Sequence, residues 1–240
     1  MNLAGVDIGF SERRRSNGIA VLRDGKLECA LLGVQERDAA LRELSNVEVI
    51  AIDAPLLPAG SPDTLVRECE RAFSRGPFQR RCKPGMSHIR GTGRTLRAHG
   101  TRAADQSPPD VKVVEAFPNA FLGVALPDED FRDLKIRRGK KFDWLYERWL
   151  ERGLFRTFAP QIASACETER NHDLRAALVC LMTALFAATD NCFMVGDEVG
   201  GYFCLPPLHL WAEWARGKLA PHEDHPRRRE EDRRSRPSRL

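Results

Sequence analysis

The chain has 240 residues, 42% hydrophobic and 30% charged, a balance that predicts a folded domain with a sizeable core. No run of about eighteen apolar residues occurs, so no membrane span is expected, and no basic segment precedes the apolar start at Leu3, which argues against a signal peptide. The net charge of +4 is too small to imply a polyanionic partner by itself.

Residues 3–9 read as a buried strand, 11–17 as a polar turn and 18–22 as a second strand. Asp24-Gly25 is a hairpin signal leading into a third strand over 26–34. Ala39, Leu41 and Leu44 carry a helical period that predicts a helix over 35–44. The β-branched run at 47–52 is continuously apolar up to Asp53, as in a parallel strand covered on both faces. Residues 55–109 read as a long irregular insertion with one helix near 64–74. A fifth strand at 111–115 and helices at 119–124 and 141–151 follow. The strongest helical pattern lies at 171–189, where Leu174, Ala177, Leu178, Leu181, Met182 and Leu185 make one apolar face. A closing strand at 200–205 and a helix at 207–216 complete a single expected domain over 1–217. In 218–240 charge and proline displace apolar residues, the pattern of a disordered tail.

Charge is unevenly distributed. Between Arg67 and Arg102 there are 10 Lys or Arg against Glu68 and Glu70 alone, so a basic block sits within an otherwise acidic body. The 7 cysteines, odd in number and without a C-x-x-C pair, fit a reduced, cytoplasmic protein better than a disulfide framework. Cys69, Cys82, His88 and His99 do not have zinc-finger spacing, and no Walker A, G-x-S-x-G or dinucleotide glycine motif is present.

Four carboxylates stand where carboxylates are costly. Asp7 lies within an apolar strand, Asp53 and Glu115 end strands, and Asp173 begins the long helix. Buried like charges are tolerated mainly when a cation or proton is shared. A cluster of oxygen ligands suits Mg²⁺ or Mn²⁺, and two such ions about 4 Å apart can drive phosphodiester hydrolysis. Each residue also has a plainer reading: a turn-proximal polar group for Asp7, a strand-end cap for Asp53, a partner of Lys112 or of an arginine for Glu115, and a complement to the helix dipole for Asp173. Strands in antiparallel order, followed by helix-linked parallel ones, make the plan of an α/β, ribonuclease H-like mixed sheet flanked by helices.

Gly5-Val6-Asp7-Ile8-Gly9, Ala51-Ile52-Asp53-Ala54-Pro55-Leu56, Arg67-Glu68-Cys69-Glu70-Arg71, Val113-Val114-Glu115-Ala116-Phe117-Pro118 and His172-Asp173-Leu174 with Ala176-Ala177 follow one another along the chain. In this order they resemble the motifs of the family catalogued as domain of unknown function 429, described as predicted ribonuclease H-like nucleases. The resemblance runs from about residue 3 to Pro206. It implies a ribonuclease H-like fold, a metal-dependent nuclease activity and Asp7, Asp53, Glu115 and Asp173 as Mg²⁺ or Mn²⁺ ligands. The family's last motif is typically D-D-x-x-D-A; here His172 and Ala176 replace two acidic positions and Asp173 alone remains.

Arginine forks grip phosphate, and a basic stripe beside an acidic metal site is what a nuclease needs. Arg67, Glu70, Arg71, Arg90 and Arg94, with Lys135 of a second basic cluster, are the expected substrate-binding residues; Arg67 and Arg71, four apart, could point one way on a helix. The expected partner is nucleic acid. Two other classes stay open: a non-catalytic nucleic-acid-binding module that has lost its last acidic motif, and an actin-like phosphotransferase, since Asp7-Ile8-Gly9 before a hairpin resembles a phosphate loop.

Overall fold

The computed structural model describes residues 1–9, 11–62, 64–82, 85–89, 91–132 and 140–219. β1 (Leu3–Asp7), β2 (Asn17–Arg23) and β3 (Lys26–Leu32) form an antiparallel meander. The second hairpin turns at Asp24 and Gly25, both at positive φ, as a two-residue turn between right-twisted strands requires. α1 (Val34–Arg42) returns the chain, and β4 (Val49–Asp53) adds parallel to β1. α2 (Glu68–Phe73), α3 (Gly76–Arg81) and α4 (Thr92–Gln106) fill the insertion before β5 (Lys112–Ala116) pairs parallel with β4. α5 (Pro118–Ala125), α6 (Lys141–Glu151), α7 (Leu154–Phe158), α8 (Ala163–Thr168) and α9 (His172–Ala188) follow. β6 (Phe193–Asp197) and β7 (Gly201–Leu205) form a final hairpin, and α10 (Glu213–Leu219) ends the described chain. The seven-stranded mixed sheet has the order β3-β2-β1-β4-β5-β7-β6.

Helices cover both faces. One core joins α5, α6, α8 and α9 to the face that carries Leu3, Val49, Ala51, Val114 and Ala116. A second packs Leu41 and Ala103 against Ala4, Val6, Ile50 and Ile52 on the other face. A third, around Phe73, Phe78, Phe203 and Trp211, gathers α2, α3 and α10 over β7.

α9 positions the carboxyl end of β1. Asn171 caps it, accepting from the backbone N–H of Asp173 and Leu174. The helix then lies directly on two glycines. A Cβ on Gly5 would come within 2.1 Å of the Leu181 nitrogen, and one on Gly18 within 2.2 Å of the Asp173 oxygen. Since Gly18 pairs with Asp7 across β2 and β1, this approach sets Asp173 beside Asp7.

The insertion departs from its expected irregular character: it contains three helices rather than one. α4 was hidden by its composition, because Gly93 and Gly100 lower helix propensity and the apolar stripe is thin. Tertiary packing explains Gly100, since a Cβ there would meet Ala54 and the Pro55 carbonyl at 2.8 Å. β6 also lacked a period-2 signal, being interrupted by Gly196 at φ 145°. The expected helix at 207–216 divides into a 3-10 turn at Leu208–Leu210 and α10, which carries the packed domain to buried Leu219, two residues past its expected end. The expected tail beyond it, residues 220–240, lies outside the described residues.

Candidate functional site

Asp7 and Asp53 stand directly opposite each other as the last residues of adjacent parallel strands. In-register parallel neighbours send their side chains to the same face, with backbones about 4.8 Å apart. Alternation along β1 and β4 puts that face toward α9, since Leu3, Val49 and Ala51 pack there. The Cys180 thiol lies beneath the pair, close enough to feel both carboxylates, which together with burial push its ionisation far up.

Burial is also the main force raising Asp7, followed by the charges of Asp53 and then Asp173. Asp53 is pushed up to about 7, by burial first and by Glu115 second. Burial raises Asp173 as well, against the pull of His172. Among the described residues, no basic side chain forms an ion pair with Asp7, Asp53 or Asp173. Asp7 and Asp53 therefore form an in-register acidic pair at the carboxyl end of the sheet, without an ion-pair partner among the described residues, and Asp173 lies near enough for its charge to act on Asp7.

Glu115 does not join them. On β5, Val114 and Ala116 face α9, so Glu115 points to the opposite side of the sheet. There the Arg67 guanidinium holds it bidentately, with Nη1 donating to Oε1 at 2.8 Å and Nη2 to Oε2 at 2.5 Å. The Leu56 N–H also donates to Oε2, at 2.8 Å. Burial raises Glu115 to about 7 while Arg67 draws it down. A carboxylate so occupied has little left for a cation, and the arginine-partner reading of Glu115 is the one the geometry gives.

The same network corrects the expectation for Arg67 and Glu70. Arg67 is wholly buried, donates from Nε to the Gly200 carbonyl at 2.6 Å and lies over the Phe203 ring. Glu70, 2% exposed, accepts from the Ser87 N–H at 3.0 Å, from the Ser87 hydroxyl and from Arg67 at 3.4 Å. Neither is placed to grip a phosphate backbone. Arg67 ties the insertion to the sheet and to the turn between β6 and β7, and Glu70 joins Arg67 to Ser87 within the insertion. Nor do Arg67 and Arg71 share a face: Arg67 precedes α2 and points inward, while Arg71 points out and pairs with Glu68 at 3.1 Å.

Arg94 is half-buried and donates to the His88 carbonyl at 3.4 Å. Arg97 is held by the Ser87 hydroxyl at 2.8 Å and the Leu65 carbonyl at 2.6 Å. Arg90 and Lys135 lie outside the described residues. His172 is exposed and meets Asp143 at 2.9 Å, and Ala176, on the first turns of α9, is buried in the core. One basic feature escaped the sequence reading. Arg13, Arg14 and Arg15 are exposed in the turn leaving β1, just past Asp7, and Arg15 pairs with Glu36 at 3.1 Å. Three consecutive arginines between two strands were the available signal.

Among the described residues, no three His, Cys, Asp or Glu side chains are gathered into a ready-made metal cage. Asp7 and Asp53 still suit a hard cation. They offer oxygen only, they are in register, and among the described residues no ion pair offsets their mutual repulsion. Mg²⁺ commonly uses one or two carboxylates and fills its other positions with water.

No helix of the described chain is long and apolar enough to cross a membrane. Comparison with family models gives no match, and neither do comparisons with curated proteins and with solved structures.

Proposed function

We propose that this chain is a metal-dependent nuclease of ribonuclease H-like fold, with Asp7 and Asp53 as the principal Mg²⁺ or Mn²⁺ ligands and Asp173 as the third carboxylate. The observation that carries the reading is the in-register Asp7–Asp53 pair at the carboxyl end of the sheet, uncompensated among the described residues. The order of the sheet, three antiparallel strands and then parallel ones, supports the fold. When bound, the metal would polarise the phosphate and lower the pKa of its water.

The chain's own residues have separable roles. Asp7 and Asp53 would hold the cation between two strands that cannot move apart without breaking the sheet. Asp173 would orient the attacking water from the start of α9. Arg13 and Arg14, exposed beside this end of β1, would draw the nucleic-acid backbone in. Arg67 keeps the Glu115 charge neutralised on the far face, so that the acidic field stays centred on the other three.

The absence of a preassembled three-ligand cage among the described residues, with His172 and Ala176 where acidic groups would complete the last motif, favours one second reading: a nucleic-acid-binding module without catalysis. A cleavage panel over single- and double-stranded DNA, RNA and hybrids with Mg²⁺ or Mn²⁺ separates the two. The nuclease reading expects metal-dependent cleavage that Asp7→Asn abolishes while binding persists. Binding with no cleavage on any substrate would overturn it in favour of the second.

A further inference from the structure

A cavity of about 400 Å³, lined in part by Asp53, opens at the carboxyl end of the sheet. Phe117, Phe203 and Leu96 supply apolar walls, and Glu70 and Ser87 supply polar groups. The two phenylalanine rings are 4.8 Å apart between centroids and inclined at 43°. No lysine or arginine among the described residues lines the cavity. Its size and make-up, apolar with a few convergent polar groups, are those of a ligand site rather than a packing gap.

The polar groups define the occupant. A phosphate would face Asp53 and Glu70 with no cation among the described lining residues, so the charged part of a nucleotide belongs outside, where a cation held by Asp7 and Asp53 would offset it. A flat, neutral ring bearing N–H donors belongs inside. It can lie against Phe117 and Phe203 and give its donors to carboxylate oxygens. Glu70 is fixed for this role by Ser87 and Arg67, and three accepted hydrogen bonds leave part of a carboxylate's roughly four lone-pair sites free.

We propose that this cavity is a nucleobase pocket, taking one unpaired base that carries an exocyclic amino group while the adjoining phosphodiester lies at Asp7 and Asp53. Adenine, cytosine and guanine each offer an amino donor to a carboxylate. Uracil and thymine do not: their single ring N–H is flanked by carbonyl oxygens that a carboxylate repels. The substrate is therefore single-stranded, or extruded locally from a duplex, with the base read at its hydrogen-bonding edge. This assignment rests on the nuclease reading for its purpose, but the pocket can be tested without cleavage.

Calorimetric titration of the full chain in EDTA with guanosine, adenosine, cytidine and uridine gives the first readout. The amino-bearing nucleosides are expected to bind at least about tenfold more tightly than uridine, because a site built to accept a hydrogen bond rejects an analogue that lacks the donor. Leu96→Trp, which fills the cavity from one wall, is expected to abolish nucleoside binding while the far-ultraviolet circular dichroism stays as in the parent. If that variant does not fold, Thr92→Trp, at an exposed position lining the same cavity, serves instead. Failure of every nucleoside to bind, uridine binding as well as the others, or binding untouched by a folded cavity-filling variant would each overturn the proposal. Failure of metal-dependent cleavage with nucleoside binding intact would instead count against the nuclease reading and leave the pocket standing.

Discussion

Two acidic pairs lie close together at the same end of the sheet and live under opposite conditions. Glu115 and Glu70 share one buried guanidinium, with Arg67 at 2.5 Å from one and 3.4 Å from the other. Asp7 and Asp53, one strand away on the other face, have no such partner among the described residues and repel each other in register. The first pair is a structural joint: it holds the insertion and the β6–β7 turn to β5. The second stores an electrostatic penalty that a cation would relieve. Identical functional groups at neighbouring strand ends thus take different roles according to which face of the sheet they leave and what reaches them there.

That contrast can be broken most severely at Arg67. Replacing it with methionine would leave two buried carboxylates without their cation, and the expected loss is about 3–5 kcal/mol in urea unfolding. Arg67→Lys should recover little, because a point charge cannot reproduce the bidentate grip. Stability equal to that of the parent would show that the joint is incidental.

Gly5→Ala attacks the other support. A methyl group within 2.1 Å of the Leu181 nitrogen must lift α9 from β1 and carry Asp173 away from Asp7. A cost of about 3 kcal/mol is expected, with loss of cleavage; Gly25→Ala is not a fair control, since its φ of 77° adds strain of its own.

Asp53→Asn should act in the opposite direction in metal-free buffer. The folded chain keeps a proton on Asp53 up to about pH 7, whereas its ordinary value is 3.8. The folded state therefore binds more protons between those values, and stability falls as pH rises from about 4 to 7. The asparagine variant is expected to lose that slope and to be more stable than the parent at pH 8 by up to about 4 kcal/mol, a gain of roughly 10 °C in Tm. Adding Mg²⁺ should raise the Tm of the parent at pH 8 and leave that of the variant unchanged. An unaltered slope in Asp53→Asn would place the penalty elsewhere.

The smallest effect belongs to the exposed arginines. Arg13→Ala with Arg14→Ala should weaken nucleic-acid binding and flatten its salt dependence by about two phosphate contacts, without affecting Tm. Arg71→Ala should change the slope less, because Arg71 already pairs with Glu68. Equal slopes in all variants would remove the turn after β1 from the nucleic-acid path.

Much of this arrangement was legible in the chain. The hairpin signal at Asp24-Gly25, the apolar runs before Asp53 and Glu115 and the apolar stripe of 171–189 foretold β2, β3, β4, β5 and α9 to within two residues at each end. These features are local: turn chemistry and periodicity are written in neighbouring residues. That Asp7 and Asp53 lie at strand ends was legible too, but their placement opposite each other comes from the pairing of β1 with β4.

What escaped was non-local. Val113-Val114-Glu115-Ala116 is apolar on both sides of the glutamate, so the sequence determined that Glu115 would be buried near a strand end, but not on which face. The face was decided by the register of β5 against β4, and the partner by a guanidinium 48 residues earlier. For the same reason the arginines of the insertion read as a phosphate rail. Their count was visible, but the inward turn of Arg67 and Arg97 depends on carbonyls, a hydroxyl and carboxylates brought together only when the insertion folds onto the sheet. Sequence alone placed charges where burial is costly. Tertiary structure decided which were neutralised, because compensating a buried charge depends on distances of a few ångströms that chain order does not set.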